Sequence, residues 1–76
     1  MYNAPIPITF DHDTKSYRGT FKPVHGAGAN TWHLMINNYY KGQLWYDSAS
    51  DRWSYYGNAF NGMGDYFGAT IQAWVG

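Results

Sequence analysis

The sequence predicts an all-β domain, a small antiparallel β-sandwich or partly open barrel of about six strands. Three observations lead there. The chain is poor in helix formers and rich in strand and turn formers, with nine Gly, eight Tyr, four Trp, four Phe and no Glu. Short runs alternate apolar and polar residues at period two, and clusters of Gly, Asn, Asp and Ser separate them. The stretch Tyr39–Tyr56 concentrates both signals: LWYD and RWSYY flank Ser48-Ala49-Ser50, the pattern of a hairpin with a short loop.

The elements follow in order. Ile6, Ile8 and Phe10 alternate with Pro7 and Thr9, which predicts a first strand. Pro5 and Pro7 cannot donate to a ladder and place it at a sheet edge. A polar turn over 11–15 leads to a second strand over 16–24, with Tyr17, Gly19 and Phe21 facing one way and Arg18, Thr20 and Lys22 the other. The segment HGAGAN at 25–30 reads as a flexible loop. Trp32, Leu34 and Ile36 alternate with His33 and Met35 in a central strand over 31–36.

Two turns then compete, Asn37-Asn38 and Lys41-Gly42, because Asn and Gly both tolerate positive φ. With the first, Ile36 opposes Tyr39 and Gly42 marks a bulge that resets the register before Leu44. A four-residue loop over 48–51 pairs Asp47 with Arg52, Tyr46 with Trp53 and Leu44 with Tyr55. Leu44, Tyr46, Trp53 and Tyr55 then share the core face, with Gln43, Trp45, Ser54, Tyr56 and the Asp47–Arg52 pair on the other. After a Gly- and Asn-rich loop over 57–65, a closing strand is expected over 66–75. Its core side would be Phe67, Ala69, Ile71, Ala73 and Val75, leaving Trp74 outward beside Gln72 and Thr70.

Size and charge limit the possibilities. The chain of 76 residues reads as one domain, whole or cut from something longer, and with no cysteine it has neither disulfides nor a thiolate metal site. Two Leu, four Ile and two Val are a thin aliphatic supply, so aromatic rings must fill much of the core. A net charge of zero argues against nucleic acid, and no apolar run is long enough for membrane insertion. The N-terminus has no basic segment followed by an apolar one, so no signal peptide is expected. Compartment is otherwise open, an extracellular or cell-surface setting following only from a glycan ligand.

No motif points to catalysis. Gly-x-Ser-x-Gly is missing, carboxylate pairs could come only from Asp, and GAG precedes no helix that could cradle phosphate. His12, His25 and His33 lie in three segments without ligand-like spacing, and DSASD lacks the Gly and Glu of a calcium loop. The chain is therefore read as a non-enzyme without cofactor or metal.

Tyr40, Trp45, Tyr56 and Trp74 are the candidate ligand-binding rings, with Gln43, Asp47, Arg52, Asn58 and Gln72 as polar partners. Sugars present C–H faces that stack on indole and phenol, while amides and carboxylates bond their hydroxyls. The leading expectation is a non-catalytic carbohydrate-binding domain with a glycan partner. The main alternative is a protein-interaction or self-assembly domain whose aromatic face meets a partner or its own copy as a homo-oligomer. A nucleic-acid-binding barrel with stacking aromatics is a third reading, opposed by the zero charge. Against all of these stands the plain reading that both sheet faces are covered and the rings are core.

Overall fold

A computed structural model describes residues 4–24 and 30–75. The glycine-rich segment 25–29 with His25, the first three residues and the Val75 side chain lie outside that description. Five strands run β1 (Ile6–His12), β2 (Lys15–Pro23), β3 (Thr31–Ile36), β4 (Tyr39–Asp47) and β5 (Arg52–Gly57), followed by a helix α1 (Gly64–Val75). Each strand pairs antiparallel with its sequence neighbours, and the sheet β1-β2-β3-β4-β5 curls into a half-barrel. The small antiparallel β fold is as the sequence predicts, with β1 at an edge and β3 in the centre.

Local chemistry sets the turns. Asp13-Thr14 and Asn37-Asn38 both have positive φ at two consecutive residues (50° and 64°, 53° and 67°). Such two-residue turns match the twist of the strands they join. The first hairpin is thus tighter than the expected 11–15 turn, since Asp11 and His12 belong to β1 and Lys15 opens β2. At the second, Ile36 opposes Tyr39, and Lys41 is the extra residue between the pairs Met35–Tyr40 and Leu34–Gly42. The Asn37-Asn38 alternative is therefore the one realised, with the bulge at Lys41 rather than at Gly42.

The same turn logic explains Pro7. The pair His12–Lys15 closes a two-residue hairpin and is hydrogen-bonded, so alternate residues of β1 bond β2 and Pro7, Thr9 and Asp11 face the free edge. Pro7 costs the ladder nothing and removes one donor from an edge that could pair with another chain. The Tyr66 hydroxyl donates to the outward carbonyl of Thr9 at 3.4 Å.

The expected sixth strand is a helix. Phe67 and Ile71 are spaced four apart, a separation that keeps residues on one face of a strand and of a helix alike. The intervening residues separate the two: Ala69 and Ala73 are exposed, whereas Gly68 is buried. Gly64 and Gly68 form one small-residue edge of the helix. A Cβ on Gly64 would stand 3.1 Å from the Tyr55 amide nitrogen, and one on Gly68 would enter the Trp53 ring. Close approach to β5, rather than turn formation, is what these glycines provide.

The concave face holds Ile6, Ile8, Phe10, Phe21, Trp32, Leu34, Ile36 and Leu44, all buried, and α1 lies across it. Fully buried Phe67 is the plug. Its ring centroid lies 5.1 Å from Phe10, 5.4 Å from Phe21 and 5.1 Å from Tyr55, each at a steep angle suited to edge-to-face contact. Phe60, which the sequence places in a loop, also joins the core: with φ of 66° it turns inward against Phe10 and Tyr17 at 5.0 and 4.8 Å.

Truncating the plug should be costly. Phe67→Ala is expected to lower the free energy of unfolding by about 3–5 kcal/mol in urea denaturation. Gly68→Ala should lower it by about 1–3 kcal/mol through overpacking against Trp53, although alanine is the better helix former.

Candidate functional site

The convex face of the sheet is the candidate site. Period-two geometry sends Lys22, His33, Met35, Gln43, Trp45, Ser54 and Tyr56 to the side opposite the core. Four of them are direct cross-strand neighbours in one line: Lys22 pairs with His33, His33 with Gln43, and Gln43 with Tyr56. Three interstrand steps make that line about 14 Å long. Trp45, between Thr31 and Ser54, flanks it on one side, and Tyr40, opposite Met35, flanks it on the other.

The rings are accessible. Tyr56 is 73% exposed and Tyr40 46%, while Trp45 is half-buried among its neighbours. No described element covers this face, because α1 occupies the concave side, so these rings are not core. At the centre, His33 Nε2 donates to Gln43 Oε1 at 3.2 Å. An amide oxygen only accepts, so Nε2 carries a proton and the Gln43 NH₂ keeps its donors for a ligand. The Tyr40 ring meets His33 edge-on at 5.0 Å and fixes the imidazole from the side.

Of the other predicted site residues, Asp47 and Arg52 share this face at its hairpin end, while Trp74, Gln72 and Asn58 lie off it. Trp74 is outward-facing and 50% exposed, but it and Gln72 sit on α1 rather than on a strand beside Trp45. Gln72 Oε1 accepts the indole N–H of Trp53 at 3.0 Å, a contact that docks the helix. Arg52 and Asp47 are register partners as expected, yet Arg52 meets Asp65 of α1 at 3.4 Å. The Asp47 carboxylate accepts the Ala49 amide at 3.0 Å and shapes the hairpin loop. Asn58 follows β5, exposed, with its backbone N–H donating to the Lys41 carbonyl at 2.8 Å.

His33, Met35 and Lys22 were not among the predicted site residues. Their outward direction was readable from alternation with Trp32, Leu34 and Phe21, but the neighbours that make them a site come from β4. His12 packs edge-on against Phe60 at 5.2 Å and lies 3.5 Å from Asp13. Among the described residues, no group of three His, Cys, Asp or Glu side chains could hold a metal ion.

Two concavities lie at the sheet edges instead. A cleft of about 620 Å³ is bounded by Thr9, Asp11, Ser16, Arg18 and Tyr66. A smaller one of about 250 Å³ separates β5 from the start of α1. Neither of these two includes Tyr40, Trp45 or Tyr56. The chain matches no model of a known protein family, no curated protein and no solved structure, and its site is read from its own geometry.

Two phenols carry raised pKa values. The Tyr46 hydroxyl donates to Asp51, and that bond holds its proton on, with burial and the nearby carboxylates adding to the effect. Burial, with a smaller contribution from Tyr40, pushes Tyr55 up to about 12 from an ordinary 10.0. Its buried hydroxyl, packed against Gly42, has no hydrogen-bond partner among the described residues.

Between pH 10.0 and about 12 the unfolded chain therefore loses the Tyr55 proton while the folded chain keeps it, so stability falls through that window. Tyr55→Phe should flatten the fall in alkaline denaturation. At neutral pH the variant should be as stable as the parent or up to about 1 kcal/mol more so, because it removes a buried, unpaired hydroxyl.

Proposed function

We propose that this protein is a non-catalytic carbohydrate-binding domain that receives a polysaccharide on the convex face of its sheet. The carrying observation is exposed Tyr40 and Tyr56, with half-buried Trp45, around a hydrogen-bonded His33–Gln43 pair on a face with no described covering layer. An exposed aromatic array on a small domain implies contact with something. Pyranose C–H faces suit such rings, and the Gln43 amide donors suit hydroxyls presented at the edge of a stacked sugar. A face with no described covering layer fits the interior of a polymer chain better than a chain end, which a pocket would enclose. The blunted β1 edge speaks against assembly by edge pairing.

Titrating intrinsic tryptophan fluorescence with a polysaccharide panel tests the proposal. Saturable change is expected, lost or weakened at least about tenfold in Trp45→Ala and Tyr56→Ala while folding is retained, as for removal of a stacking ring worth about 1.5 kcal/mol. Trp74→Ala, altered on the opposite side of the sheet, should bind as the parent does. A flat titration combined with a Trp45-dependent dimer in solution would instead make the face a self-assembly surface.

A further inference from the structure

The zero net charge conceals an uneven distribution. Each of the five carboxylates has a local partner, and most stand at turns or on the helix. Asp13 lies by His12, Asp51 accepts from Tyr46, and Asp65 pairs with Arg52. Only Asp11 and Asp47 occupy convex-face positions in the described strands, at the ends of β1 and β4. Ser16 Oγ donates to Asp11 at 2.6 Å, and the Ala49 amide donates to Asp47.

The cations are sorted the other way. Lys15, Arg18, Lys22 and Lys41 form no ion pair among the described residues. Lys22 stands in the same cross-strand line as His33, Gln43 and Tyr56, exposed. Arg18 is on the same face of β2, and Lys41 sits at the bulge beside Tyr40. The cross-strand line that runs through the aromatic face thus ends in an unpaired ammonium and contains no carboxylate.

We infer that the polysaccharide taken by this face is anionic, its carboxylate or sulfate groups meeting Lys22 while its rings stack on Trp45 and Tyr56. The inference rests on the carbohydrate reading and narrows it to a substrate class. An ammonium on a flexible stem is a point charge that either anion can approach, and water around it keeps the attraction sensitive to salt. Stacking would supply the shape of the site and Lys22 the sign of its preferred charge.

Matched polymers separate the two claims: polygalacturonate against its fully methyl-esterified form, and dextran sulfate against dextran. The charged member of at least one pair should bind about fivefold or more tighter, with the advantage shrinking as NaCl rises from about 0.05 to about 0.5 M. Lys22→Gln should cost about three- to fivefold for the charged polymer only, and Lys22→Glu more. Which pair responds identifies carboxylate or sulfate as the preferred group. Equal, Trp45-dependent binding of charged and neutral members would overturn the anionic inference and leave the carbohydrate reading standing. Binding of none of the four, nor of the wider glycan panel, would overturn both. Tighter, Trp45- and Lys22-dependent binding of oligothymidylate than of any glycan would also overturn both, in favour of single-stranded nucleic acid.

Discussion

Much of this structure depends on one aromatic side chain reaching the middle of a curled sheet. Phe67 touches Phe10, Phe21 and Tyr55, residues from β1, β2 and β5, and so ties both edges of the half-barrel to a single point. A chain of this size without cysteine must hold itself together by burial, and two leucines cannot fill the concavity of five strands. Rings can, because each covers a large area with few rotatable bonds. The helix serves to deliver that ring, and Gly64 and Gly68 let its backbone come close enough to β5 to do so.

The position of the helix has a consequence on the far side of the sheet. With α1 filling the concave face, the convex face is left without a described covering layer, so its residues answer to water and to ligands rather than to packing. A second sheet or a sixth strand would have placed Trp45 and Tyr56 in a different setting. The turns have a parallel effect on charge. Asp13, Asp47 and Asp51 stand where short polar side chains suit tight turns, which keeps carboxylates at the periphery and leaves Lys22 without a carboxylate in its cross-strand line.

The candidate site was half legible. Trp45, Tyr56 and Gln43 fall on one face as soon as the 48–51 loop is recognised, because a short hairpin loop dictates the register and alternation does the rest. Tyr40 required a choice between two turns, and the bulge at Lys41 made that choice consequential for every residue before it. Gln72 and Trp74 were misplaced, and the contact of Arg52 with Asp65 went unforeseen, for one reason. Their surroundings depend on α1, and the Phe67–Ile71 spacing suits a strand as well as a helix. The exposed alanines at 69 and 73 were the available signal, being too small to declare a buried face.

Local information in the chain therefore sufficed for the first five strands, the edge position of β1 and the β4–β5 register, since each follows from neighbours within a few residues. What required the folded molecule was contact between residues far apart in sequence: Phe60 and Phe67 in the core, Gln72 against Trp53, and Lys22 in line with Tyr56. Backbone preferences act over one turn or one hairpin, whereas burial rewards any pairing that removes apolar surface from water, whatever the sequence separation. The helix over 64–75 carries Phe67 to the centre of the half-barrel, a contact that no neighbour within one turn foretells.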